Sequence, residues 1–238
     1  MQNLNYGVIG NCSTAALISE KGAIEWLCFP EFDSPSVFAA ILDRQKGGHF
    51  GFKVTSDYKV TQSYVPHTNI LSTHFESEEG AFDVVDFMPC YPTSDGKDFY
   101  RPAEIYRYIR WAKGRPRMKV DYRPAPNYAR GKTIYNVTSQ YVETYSSVEN
   151  KDRQYLYSSL DLKKVVNHDE ITLEKDEFFL FSFNEKVIPV DIEREKLEYC
   201  RTLVYWLNWT DHAKRYTRYN EVIERSMLVL KLMTYRNG

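Results

Sequence analysis

The sequence predicts a mainly β protein, an antiparallel two-sheet β-sandwich followed by two helices. Three observations lead there. Short apolar or alternating runs recur between about residues 48 and 184, with polar turns between them. Their spacing of roughly 8 to 12 residues suits a sandwich or barrel and not βαβ units. Aromatic residues make up 15% of the 238, with 19 Tyr and 13 Phe, enough rings to fill the space between packed sheets. At Pro189 the apolar period changes from that of a strand to that of a helix.

Taken in order, residues 14–19 and 23–28 flank Glu20-Lys21-Gly22, a three-residue hairpin loop ending in Gly. This register sets Ile18 opposite Ile24 and Ala16 opposite Trp26. Residues 29–35, with Pro30 and Pro35, form an ordered loop that cannot be a central strand. Asp33 or Ser34 then caps a short helix with Val37, Phe38, Ile41 and Leu42 on one face, ended by Gly47-Gly48. Strands follow at 50–54, 58–65, 70–75, 81–88, 105–111, 118–122, 133–138, 140–145, 155–160 and 177–183. The run Ile-Tyr-Arg-Tyr-Ile-Arg-Trp at 105–111 alternates like a strand with one wet face. Past Pro189, Asp191 caps a helix with Leu197, Cys200, Leu203, Val204 and Leu207 on one face. A second helix carries Tyr219, Val222, Ile223, Ser226, Leu230 and Met233, and is apolar over more of its circumference than one sheet covers. The expected division is a sandwich over 1–188 and a helical part over 189–238.

The formal net charge of -1 supplies no global positive field, which argues against nucleic acid as a partner. No 18-residue apolar span exists, so no transmembrane helix is expected. The start, MQNLNYGVIGN, lacks a basic region followed by an apolar core, and the expected compartment is the cytoplasm. Cys12, Cys28, Cys90 and Cys200 are scattered and read as reduced and mostly buried.

Candidate chemistry is sparse. The carboxylate pairs Glu78/Glu79, Asp83/Asp86, Asp169/Glu170 and Glu193/Glu195 carry no signal of the raised pKa that acid/base work needs. The five histidines are dispersed, and His74, inside a strand, suits a hydrogen-bonded structural role. No phosphate loop, GxSxG or HExxH occurs, and neither metal nor cofactor is expected. Arg101, Arg107, Arg110, Arg115, Arg117, Arg123 and Arg130 form a basic run, either a solvated strand face or a surface for an acidic partner.

One family pattern runs through the chain. Gly10-Asn11-Cys12, Thr14-Ala15-Ala16-Leu17, Gly22, Ile24, Trp26-Leu27-Cys28, Pro30, Phe32-Asp33-Ser34-Pro35, Phe38-Ala39-Ala40 and Gly47-Gly48 come first. Val85-Asp86-Phe87-Met88-Pro89, residues 117–128, Trp206, Trp209, Arg225-Ser226 and Leu230-Lys231-Leu232 continue it. These residues resemble the N-terminal domain of glycoside hydrolase family 15, the glucoamylase, glucodextranase and trehalase group. One departure is Glu31, where the family more often carries a basic residue.

The resemblance implies a super-sandwich, a linker helix over about 191–208, and over 219–235 the first helix of an α/α barrel. The family's two catalytic glutamates belong to that barrel, and no residue here matches either, so the chain alone is expected to be inactive. Its expected partner is the barrel, in cis or in trans, met through Tyr219, Val222, Ile223, Leu230 and Met233. The substrate class through the whole enzyme is an α-glucan or trehalose-type sugar. Phe32, Asp33 and Ser34 are expected at the rim of the substrate pocket, because their loop is ordered. A free-standing module that holds sugars on rings such as Trp26, Trp111 or Tyr128, or one chain of a split hydrolase, is the alternative. The apolar second helix also predicts self-association when unpartnered.

Overall fold

The computed structural model describes residues 4–55, 57–149, 151–188, 190–214 and 217–235. Pro189, the expected boundary, lies outside them. In chain order the elements are β1 (Tyr6–Gly10), β2 (Ala15–Ser19), β3 (Ile24–Cys28), β4 (Ser36–Phe38), β5 (His49–Lys53), β6 (Lys59–Tyr64), β7 (Leu71–Ser77) and β8 (Gly80–Phe87). A short pair, β9 (Tyr91–Pro92) and β10 (Phe99–Tyr100), precedes β11 (Glu104–Gly114), β12 (Arg117–Arg123), β13 (Thr133–Val137), β14 (Val142–Ser146) and β15 (Gln154–Ser158). Then come α1 (Leu162–Asn167), β16 (Glu170–Thr172), β17 (Glu177–Phe183), α2 (Ile192–Asp211) and α3 (Asn220–Leu232).

Two antiparallel sheets form the sandwich. The first runs β1-β2-β3-β5-β12-β16, with β4 paired to β3, and the second runs β13-β14-β15-β17-β11-β8-β7-β6. Between them lie Phe29, Phe38, Phe50, Phe52, Phe82, Phe179 and Phe181, with Ile105 and Ile109. Each such ring, taken out of water, stabilises by roughly 1.5–3 kcal/mol. Phe75 and Phe82 stack with centroids 4.7 Å apart. On the far side of the second sheet, Val85, Phe87, Tyr106, Tyr108 and Leu180 form another cluster with Trp206, Leu228 and Leu232. Helices α2 and α3 are therefore a third layer.

That third layer overturns the wet-face expectation for β11. Ile105 and Ile109 face the sandwich, while Tyr106 and Tyr108 lie in the helical cluster. Only from Arg110 onward does the strand emerge. Arg107 is wholly buried among the core rings. Its Nε and Nη2 donate to Asp86 on β8 at 2.7 and 3.2 Å, its Nη1 to the Phe50 carbonyl at 2.6 Å, and its Nη2 also to the Gly22 carbonyl. The guanidinium lies 4.7 and 4.8 Å from the Phe50 and Phe52 ring centres. A buried charge persists only when paired and saturated, and this one joins the two sheets while being both.

The hairpin departs from expectation in one detail. Ile18 does face Ile24, but Ala16 faces Leu27 and Leu17 faces Trp26, because a bulge shifts the register between Leu17 and Ile18. The helix expected after Asp33 is absent. Ser36–Phe38 is strand β4, pairing Phe38 with Leu27 and Ser36 with Cys28, and residues 39–47 are turns. Both Val37 and Phe38 are buried and Leu42 is exposed, so a place in the sheet outweighed the helical spacing. A cis peptide joins Phe29 to Pro30. Helix α1, not anticipated, is capped by Asp161, which accepts from Lys163 N, and ends at His168 with φ 58°.

Candidate functional site

The loop after β3 is held from several sides. Phe29 stacks on Phe181 at 5.8 Å, Phe32 N donates to the Ser13 carbonyl at 3.0 Å, and Ser34 Oγ accepts from Glu31 N at 3.1 Å. Ser34 is thus spent on the loop's own turn. The Phe32 ring meets Tyr235, just past α3, edge-on at 6.0 Å, and Asp33 is exposed beside it. The Asn11 side chain organises the neighbouring β1–β2 loop. Its Oδ1 accepts from Ser13 N and Thr14 N, and its Nδ2 donates to the Pro102 carbonyl at 2.8 Å. Cys12 Sγ reaches the Lys231 carbonyl of α3 at 3.4 Å. The order expected of Phe32, Asp33 and Ser34 is present, and α3 ends against their loop.

A second feature stands beside that loop and was not anticipated. Asn127, Tyr128 and Ala129 all have φ of 55°, one turn of left-handed backbone built from residues with side chains. Such a conformation costs roughly 1–2 kcal/mol per residue outside glycine. The turn is fixed by bonds from Ala125 N to the Val37 carbonyl (2.9 Å), Tyr128 N to Ser36 (3.3 Å) and Ala129 N to Ala125 (3.1 Å). Pro35 and Asn127 share one small crevice with Phe29. The signal for a turn is in the sequence, Pro124, Pro126 and Asn127 in close succession, but nothing in it announces three left-handed residues.

Both helices turn apolar side chains outward. Asp191 caps α2 by accepting from Arg194 N at 2.8 Å. However, of the apolar face predicted for this helix, Leu197, Cys200, Val204 and Leu207 are exposed (Val204 by 63%), while Glu195, Glu198, Thr202 and Thr210 are buried with Trp206. Only Leu203 of the expected face joins the helical cluster. On α3, Leu228 and Leu232 pack inward, Tyr219, Val222, Leu230 and Met233 are exposed, and Ile223 is half-buried. Arg225 anchors α3 by donating to the Thr68 carbonyl at 2.8 Å, with its guanidinium 3.8 Å from the Tyr64 ring centre. Between α2 and the β9–β10 hairpin opens a cleft of about 1240 Å³, lined by Tyr91, Phe99, Tyr100, Val204, Tyr205 and Trp209. Within it Glu198 accepts from the Tyr91 hydroxyl at 2.6 Å and from Arg201 at 3.2 Å.

The polar underside of α2 has its own electrostatics. Glu195 sits against the second sheet, and desolvation, reinforced by the negative charge of Asp86, pushes its carboxyl well above the usual range. Burial likewise raises Asp86, although Arg107 opposes it. Raised carboxyls therefore do exist, at Asp86 and Glu195, where the sequence pattern showed no such signal. They lie inside the structure and not in the cleft. The basic run is dispersed: Arg107 is buried, Arg110 pairs with Asp83, Arg115 with Glu174, Arg117 with Glu79 and Arg123 with Asp121. It is not one surface. His74 bonds Asp83 at 2.7 Å, the structural role expected of it. Among the described residues no three His, Cys, Asp or Glu are grouped to hold a metal ion, and no helix is long and apolar enough to cross a membrane.

Fold and surfaces together define a two-sheet sandwich domain whose helices α2 and α3 cover one sheet and leave an apolar side of their own in the open. Residues 5–150 match the trehalase-like N-terminal domain, and the chain belongs to that family. Similar proteins include the trehalase of Thermoplasma acidophilum, 29% identical over 228 residues covering 92% of this chain and 38% of that protein. The trehalase of Mycolicibacterium smegmatis is 26% identical over 97% of this chain and 38% of its own length. Trehalase 1 of Sulfolobus acidocaldarius is 51% identical over 85 residues, 35% of this chain and 14% of that protein. The chain spans little more than a third of the length of the longer matches.

Proposed function

We propose that this chain is the sandwich and linker portion of an inverting α-glucosidic hydrolase of the glycoside hydrolase family 15 type, acting on trehalose or a related glucan. Its task is to cover and order a catalytic α/α barrel. The sandwich ends near residue 188, α2 is the linker and α3 is the barrel's first helix. The observation that carries this reading is the outward apolar face of α2, which buries Glu195, Glu198 and Thr202 and exposes Leu197, Val204 and Leu207. A helix so placed has a second partner on its outer side. Tyr219, Val222, Ile223, Leu230 and Met233 extend the same contact along α3, and the matches to longer trehalases support it.

In this reading Phe32, Asp33 and Ser34 shape the rim of the substrate pocket. Phe32 does so through Tyr235, Asp33 by its exposed carboxylate and Ser34 by fixing the turn. The test is the gene product that carries this chain, assayed for hydrolysis of trehalose and maltose. Asp33→Ala is expected to impair kcat or KM by about tenfold, the loss of one charge-assisted hydrogen bond, with an unchanged thermal midpoint. Kinetics indistinguishable from the parent would remove the loop from the site.

A further inference from the structure

Tyr128 is a large ring displayed on a backbone that resists displaying it. Three successive left-handed residues, none of them glycine, persist only where the surroundings over-determine them, and such strain gathers at ligand sites. Here the surroundings are the carbonyls of Val37, Ser36 and Ala125, which take the turn's N–H groups, and Glu149, which accepts from Asn127 Nδ2. The result is a ring 48% exposed, with Arg130 backing one face, its Cζ 5.6 Å from the ring centre. About half of the residue's surface is thus left to solvent. The same turn abuts Ser36 and Pro35, directly following Phe32-Asp33-Ser34.

We propose that Tyr128 is a substrate-positioning platform on which a hexopyranosyl ring stacks. This inference rests on the reading that the Phe32–Ser34 loop rims a saccharide pocket, and it adds a residue and a contact to that rim. The chemistry is specific. The C–H face of a pyranose needs a flat apolar surface, and an aromatic ring supplies one with little conformational freedom to lose. Arg130, its Cζ 5.6 Å from the ring centre, adds a cation beside the ring.

The test uses the whole gene product with trehalose and maltose as probes, followed by hydrolysis and by saturation-transfer NMR from protein to sugar. Tyr128→Ala is expected to raise KM about tenfold with kcat nearly unchanged and to weaken saturation transfer, the size of one lost ring contact. Tyr128→Phe and Tyr128→Trp, which keep the flat face, should stay within about twofold of the parent. Tyr128→Gly relieves the backbone strain while removing the ring, so it serves if the alanine variant does not fold. Unchanged KM and transfer in Tyr128→Ala or Tyr128→Gly, or a loss that Phe fails to restore, overturns the proposal. If Asp33→Ala is impaired while Tyr128→Ala is normal, only this inference fails. If both are normal, the rim reading fails with it. A gene product showing neither hydrolysis nor saturation transfer also overturns it.

Discussion

Replacing Arg107 by methionine removes the guanidinium that joins the two sheets and keeps much of its bulk. Asp86, wholly buried, then loses its cation, and breaking such a pair costs roughly 3–5 kcal/mol. The Phe50 and Gly22 carbonyls lose a charged donor as well, at about 1 kcal/mol each, partly offset by the thioether's contacts with Phe50 and Phe52. The sum is a loss of about 4–6 kcal/mol. An unfolding entropy of about 2.1 cal/mol/K per residue over 238 residues converts this to a midpoint lower by roughly 10 °C. Urea unfolding followed by tryptophan fluorescence and circular dichroism measures it directly. The decisive companion is Arg107→Met combined with Asp86→Leu. With no charge left inside, the double variant should be at least about 2 kcal/mol more stable than the single one. A single variant that loses under about 1 kcal/mol, or a double variant no better than the single, refutes the idea that an uncompensated buried carboxylate sets the cost.

Glu195→Gln tests the polar underside of α2. Burial raises the folded carboxyl above its unfolded value of 4.5, so the wild type is favoured below about pH 4.5 and loses ground as pH rises toward the folded pKa. The variant should overtake it across that window by up to about 1.4 kcal/mol per pH unit, read from thermal midpoints between pH 4 and 8. Gly10→Ala places a Cβ 2.6 Å from the Thr14 carbonyl and 2.9 Å from Leu232 Cδ2, which costs about 1–3 kcal/mol and speeds proteolysis of α3. Val204→Glu, on the exposed side of α2, should change the chain's stability by less than about 0.5 kcal/mol in urea unfolding.

The strands were legible because each alternates or runs apolar between polar turns, and all ten expected runs correspond to strands in the sandwich. The misreadings share one cause, a partner the local pattern does not contain. Val37 and Phe38 are spaced for a helix, yet pairing with β3 decides their conformation. The alternation in β11 implies water on one side, but α2 lies there. On α2 the pattern located an apolar face correctly and could not say which layer that face serves. Of the candidate site, the order of the loop after β3 was legible from its prolines and aromatics. The left-handed turn that lifts Tyr128 was not, since its geometry is imposed by the backbone carbonyls of Ser36 and Val37, far away in sequence.

The place of β17 between β11 and β15 has a temporal consequence. Strands β6, β7 and β8 are joined by short connections and β11 follows within the same half of the sheet, so that half can pair as it leaves the ribosome. The partner that closes β11 arrives only after about 70 more residues, some 4–14 s of synthesis at ordinary rates. Throughout that delay the open edge of β11, carrying Ile105, Tyr106 and Ile109, faces the cellular milieu. Any slowing of translation across residues 115–176 lengthens the exposure of this unpaired apolar edge.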